Sequence, residues 1–95
     1  MEVDNEKLIT AFIRDHSRAG SSMYQWLQAV KIAKWAMPTD VQSTFNSAEC
    51  IKGTWIFNVG GGKYRLAARI RFPEQALRIK EVMTHEEYNK GKWKR

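Results

Sequence analysis

The sequence predicts an α+β domain, with a helical hairpin on the N-terminal side and an antiparallel sheet after it. Three observations carry this. Apolar residues recur at helical spacing in the first third of the chain, as Leu8, Ile9, Phe12, Ile13 and then Met23, Trp26, Leu27, Val30, Ala33. From Thr54 onward the period changes to two. Three successive glycines, Gly60, Gly61 and Gly62, join two of the alternating runs and supply the positive φ a tight hairpin needs.

The first helix is expected over 4–17, with Asp4 as N-cap and Glu6 at the positive end of the dipole. Met1-Glu-Val is a possible extended segment ahead of it. Ser17-Arg-Ala-Gly-Ser-Ser22 breaks the pattern, and Ser22 with Gln25 has capping-box spacing, so the second helix is expected over 22–37. So short a link makes the pair an antiparallel hairpin. Pro38 cannot donate into a helical ladder and restricts Met37, which ends that helix. Thr39-Asp-Val-Gln42 has capping-box spacing for a short turn over 40–45, and Phe45–Ile51 reads as an irregular connection.

Strands follow over 54–59, 63–72 and 76–83. Trp55, Phe57 and Val59 share one face of the first. Tyr64, Leu66, Ala68, Ile70 and Phe72 share one face of the second, and Lys63, Arg65, Arg69 and Arg71 share the other. In the third, Leu77, Ile79, Glu81 and Met83 alternate with Arg78, Lys80 and Val82. Thr84-His-Glu-Glu87 has capping-box spacing for a terminal turn over 84–90, which sets His85 and Tyr88 on one face. The basic tail from Asn89 to Arg95, with Trp93 inside it, reads as mobile. Residues 1–95 form one domain.

The 95 residues carry a net charge of +6. Residues 1–51 hold five basic and six acidic side chains, net −1; residues 52–95 hold eleven and four, net +7. The positive charge sits on the strand-rich half, which points to a polyanionic partner. Cys50 is the sole cysteine, so no intramolecular disulfide forms, and a small half-buried core role is expected for it. His16 and His85 are the only imidazoles and no pair has metal-ligand spacing. The glycines have no Walker spacing. No signal peptide and no membrane-length apolar run is present, so a cytoplasmic, membrane-free protein is expected. Trp26, Trp35 and Tyr64 read as core aromatics.

Pairing the strands as a meander brings Lys63, Arg65, Arg69 and Arg71 together with Arg78 or Lys80, and delivers His85 and Tyr88 to their end. Arginine forks suit phosphate, a histidine moves protons, and a tyrosine donates a hydrogen bond or stacks on a base. The set suits a phosphodiester. Read without the set, each member is ordinary: a basic strand face is solvated, three glycines make a turn, and a lone histidine caps a helix.

Phe57-Asn-Val-Gly-Gly, Tyr64-Arg-Leu and Arg78-Ile-Lys-Glu-Val-Met-Thr-His-Glu-Glu-Tyr88, with Trp35-Ala-Met-Pro-Thr-Asp40 before them, resemble the HigB family of toxins in the RelE/ParE superfamily. The resemblance runs through nearly the whole chain. It implies an N-terminal helical hairpin packed on a small twisted antiparallel sheet of three to four strands. It implies the toxin of a type II toxin–antitoxin system, an mRNA interferase that cuts messages in the 30S A site of the translating ribosome. A HigA-type helix-turn-helix antitoxin would neutralise it. No metal or other cofactor is implied: the RNA 2′-hydroxyl attacks the adjacent phosphate and the 5′-hydroxyl leaves. By the same resemblance Arg65 matches the phosphate-binding arginine, and His85 and Tyr88 fall in the C-terminal catalytic motif. Lys63, Arg69, Arg71 and Lys80 are assigned to RNA backbone binding. RelE carries lysines in the strand before the glycine turn, where this chain has Ile56 and Asn58. His85 is then the candidate for one proton transfer, with Tyr88 or a lysine for the other. ParE-like relatives share the fold and poison DNA gyrase, and a plain RNA-binding module is a further alternative.

Overall fold

The computed structural model describes residues 1–91 and 93. The chain runs β1 (Glu2–Asp4), α1 (Lys7–Asp15), a 3-10 turn (Ser17–Ala19), α2 (Gly20–Ile32), α3 (Pro38–Thr44), β2 (Glu49–Ile51), β3 (Thr54–Val59), β4 (Tyr64–Arg71), β5 (Ala76–Thr84) and α4 (His85–Asn89). The sheet has five strands in the order β1-β5-β4-β3-β2. Strands β3 to β5 form the expected antiparallel meander, and β2 extends it antiparallel on β3. Strand β1 adds a parallel edge on β5, pairing Glu2, Val3 and Asp4 with Ala76, Leu77 and Arg78. The sheet is therefore larger than expected, and mixed.

The core lies between one face of the sheet and the helices. Trp55, Phe57, Val59, Leu66, Ala68, Leu77 and Ile79 meet Ile9 and Phe12 of α1, Met23, Trp26, Leu27 and Val30 of α2, and Val41 of α3. Trp35 is buried with them, and Tyr64 packs against the cluster with its ring edge-to-face on Phe12 at 5.7 Å. Helix α1 lies over β5, and α2 over β1 and β3.

Several boundaries differ from the sequence expectation for identifiable reasons. Asp4 is not an N-cap. It lies in β1 and pairs with Arg78, and α1 starts after Asn5, whose φ is +73°. Helix α2 starts at Gly20, so Ser22 lies inside it and caps nothing; it ends at Ile32, five residues before Met37. Its terminal carbonyls are satisfied from outside the helix, because the Met1 amino group donates to the carbonyls of Val30 and Lys31, and to that of Ala33. Pro38 opens α3 as its first residue, a position that needs no N–H. Asp40, not Thr39, completes that helix start, accepting from the N–H groups of Ala36 at 2.8 Å and Met37 at 3.2 Å. The connection expected after Phe45 contains β2, which leaves Cys50 exposed rather than half-buried.

A β-bulge redirects the third predicted strand. Ala67 pairs with Glu81 and Ala68 with Ile79, so Lys80 has no opposite residue. Leu77, Ile79 and Val82 face the helices, while Glu81 and Met83 turn to the opposite face with Arg78. Strict alternation had put Val82 with the cations and Glu81 with the core.

The far face of the sheet has its own small apolar cluster. Ile56, Ala67 and Met83 are buried there, with Ile51, Tyr88 and Trp93 packed against them. Trp93 stacks on Tyr88 with ring centroids 5.4 Å apart and 12° between planes, so this residue of the tail packs on the sheet's far face. The tail residues Lys92, Lys94 and Arg95 lie outside the described residues.

Candidate functional site

The site is built where the glycine turn meets α4. Gly60, Gly61 and Gly62 take φ of +65°, +67° and +91°, reversing the chain between Val59 and Tyr64. The turn also exposes carbonyls, and the Arg65 guanidinium donates to those of Gly62 at 2.6 Å and Tyr64 at 3.1 Å. These bonds hold the arginine back against its own turn.

Helix α4 is fixed to the same turn. Thr84 caps it as expected: its hydroxyl accepts from the Glu87 N–H at 3.1 Å, while the Glu87 carboxylate accepts from the Thr84 N–H at 3.0 Å. The His85 N–H donates to the Lys63 carbonyl at 2.9 Å. This puts Tyr88 beside Arg65, whose guanidinium carbon stands over the tyrosine ring 5.5 Å from its centroid, a cation–π geometry. The Tyr88 ring is thus already engaged by Arg65 and by Trp93.

Arg65 and Tyr88 line a cleft of about 530 Å³ together with Gln42, Asn46, Ser47, Ala48, Glu49, Ile56 and Asn58. That volume lies within the range of small-ligand sites. The floor is Ile56. Asn58 stands directly across from Arg65 in the β3–β4 register, and Glu49 directly across from Ile56 in the β2–β3 register. Among the described residues, no three His, Cys, Asp or Glu side chains converge where they would hold a metal ion.

The other predicted site residues are more scattered. His85 is exposed on the first turn of α4, with Nδ1 3.3 Å from the Asn89 amide nitrogen, and it does not line the cleft. Lys63 is exposed in the glycine turn, bound through its backbone to His85. Arg69 and Arg71 sit farther along β4, opposite Arg78 and Ala76. They line a separate groove of about 400 Å³ with Asp4 and Arg78. Arg65 and Arg69 are four residues apart, about 13 Å along the strand, and buried Ala67 lies between them. The cations form two stations instead of one row. Lys80 is exposed at the bulge and lines neither station.

Sequence reasoning passed over Asn58, Glu49 and the polar loop from Gln42 to Ser47. Asn58 had a usable signal: counting back from the glycine turn pairs it with Arg65. Glu49 had none, because a three-residue strand carries no period.

Residues 19–91 match the HigB_toxin family, described as the RelE-like toxic component of a toxin-antitoxin system. The chain belongs to this family, a class defined by a small α+β toxin. It is 38% identical over 55 residues to the mRNA interferase toxin HigB of Escherichia coli strain K12. It is equally similar to proteins named mRNA interferase HigB from Escherichia coli O157:H7 and Shigella flexneri. In each case the aligned stretch covers 55% of this chain and 53% of the relative, so the match spans about half the length of these relatives.

Proposed function

We propose that the protein is the toxin of a type II toxin–antitoxin pair and acts as an mRNA endoribonuclease on the translating ribosome. One observation carries the reading: a half-buried arginine, braced by the carbonyls of Gly62 and Tyr64 and by the Tyr88 ring, lines an open polar cleft. A cation held this way is preorganised for a phosphate and loses little freedom on binding. Membership of the HigB_toxin family and the names of the matched relatives support messenger RNA as the source of that phosphate.

In this reading the cleft holds the scissile phosphodiester. Arg65 binds its non-bridging oxygens and stabilises the charge that builds as the 2′-hydroxyl attacks. Tyr88 fixes the guanidinium from the side. His85, one turn before Tyr88 and open to solvent outside the cleft lining, is assigned the protonation of the departing 5′-oxygen. The groove of Arg69 and Arg71 binds backbone about 13 Å farther along β4, with Lys63 and Lys80 on other exposed surface. A HigA-type antitoxin neutralises the toxin, and an acidic antitoxin segment competes with RNA for the cationic stations.

The experiment is controlled induction in cells followed by mapping of transcript 5′ ends, with Arg65→Ala and His85→Ala as controls. New ends within coding regions, absent in both variants, are expected. Intact transcripts together with DNA damage would replace this reading with gyrase poisoning. RNA binding without growth arrest would leave only a binding module.

A further inference from the structure

The proposed reaction needs an acceptor for the proton of the attacking 2′-hydroxyl, and β3 offers the cleft only Ile56 and Asn58, neither of which titrates. We propose that Glu49 is that general base; the assignment rests on the endoribonuclease reading above. The cleft supplies the argument. Its lining offers three titratable groups: the Arg65 guanidinium from β4, the Tyr88 phenol from α4 and the Glu49 carboxylate from β2. The rest of the lining, Gln42, Asn46, Ser47, Ala48, Ile56 and Asn58, contributes amides, a hydroxyl and apolar surface. A guanidinium has no acceptor, and a phenol, though it can accept a hydrogen bond, does not take up a proton until it has lost its own. An ionised carboxylate is an acceptor only.

The register places Glu49 on the same side of the sheet as Arg65. Glu49 pairs with Ile56, and Ile56 with Ala67, so all three lie in one cross-strand row. Arg65 is two residues along from Ala67, in the row with Asn58. The two backbones are two strand spacings apart, about 10 Å, and offset by about 7 Å along the strands. Two long side chains therefore flank the cleft from opposite sides, with buried Ile56 as the floor between them. Glu49 is exposed and has no hydrogen bond or ion pair with a described residue.

The step balances as follows. The 2′-O–H bond breaks and its proton goes to a Glu49 carboxylate oxygen, while the 2′-oxygen forms a bond to phosphorus. The P–O5′ bond breaks, and its electron pair leaves with the 5′-oxygen, which takes a proton from the His85 imidazolium. The products are a 2′,3′-cyclic phosphate and a 5′-hydroxyl. Glu49 returns its proton to solvent and His85 recovers one.

The test is single-turnover cleavage of an mRNA on programmed ribosomes by the purified toxin and its Glu49→Gln, Glu49→Asp and Glu49→Ala variants. A message with one 2′-deoxynucleotide at the cut site is the control. The wild type is expected to cut the all-ribose message and spare the deoxy one. Glu49→Gln should be slower by about 100-fold or more, the usual contribution of a general base. Glu49→Asp should keep measurable activity, and added formate should speed Glu49→Ala but not Arg65→Ala. Unchanged thermal unfolding of Glu49→Gln would assign the loss to chemistry. A wild type that cuts while Glu49→Gln stays within about threefold of it overturns the base assignment alone. A slow Glu49→Ala that formate leaves slow also overturns it, in favour of positioning. A wild type that cuts neither message overturns the endoribonuclease reading and this assignment together.

Discussion

Replacing Thr84 by alanine should loosen the element that holds the site. Helix α4 has five residues, far too few to be stable alone. It is held by the capping box, by the His85 N–H on the Lys63 carbonyl, and by Tyr88 and Trp93 on the apolar cluster of Ile56, Ala67 and Met83. Thr84→Ala removes the acceptor of the Glu87 N–H and leaves the backbone pairing of residue 84 with Tyr64 intact. Loss of an N-cap hydroxyl costs about 1 kcal/mol, which lowers the melting temperature of a domain this size by about 4–8 °C. The same change makes local opening at the start of α4 about fivefold more frequent. Thermal unfolding gives the first quantity and amide hydrogen exchange at Glu87 and Tyr88 the second. Thr84→Ser keeps the hydroxyl and should behave as wild type in both. A Thr84→Ala protein with unchanged melting and exchange would show that the cap does not hold α4. A Thr84→Ser protein as unstable as the alanine variant would assign the effect to the lost methyl group.

Other substitutions separate core, turn and surface contributions. Leu66→Ala, at a fully buried position, should lose about 2–5 kcal/mol in denaturant unfolding. Gly60→Ala should melt below Gly61→Ala: both force a side chain into positive φ, but a Cβ at Gly60 would meet the Tyr64 ring at 2.9 Å, whereas one at Gly61 meets nothing within 4 Å. Arg78→Ala breaks an exposed pair with Asp4 and should change stability by less than about 1 kcal/mol in the same unfolding assay. Trp93→Ala should free the Tyr88 ring, seen as a change in tyrosine fluorescence or ring NMR shifts, and reduce cleavage while the main core keeps its melting temperature.

The large elements were legible because each buries a long periodic face. Alternation from Trp55 to Phe72 reported the hairpin, and the Leu8 to Ala33 stripes reported both helices. The short elements were not. β1 and β2 have three residues each and exist through pairing with β5 and β3, a tertiary effect that leaves no local pattern. Helix α2 ends early because the Met1 amino group, about thirty residues upstream, takes its last carbonyls. The bulge opposite Ala67 and Ala68 moved Glu81 across the sheet, which no period-two count registers. For the site, the neighbourhood of Arg65 and Tyr88 followed from the meander and the Thr84 cap. The continuous basic row did not survive, because Ala67 belongs to the apolar cluster under Tyr88 and splits the cations into two stations. Glu49 was hidden with β2.

The central claim is that the Arg65 cleft cuts messenger RNA. Mapping 5′ ends of transcripts after brief induction, in wild-type and Arg65→Ala cells at equal protein levels, tests it most directly. The account predicts new 5′-hydroxyl ends within translated regions for the wild type and none for Arg65→Ala, with both proteins melting alike. Growth arrest without new transcript ends, or the same ends in the Arg65→Ala cells, would contradict it.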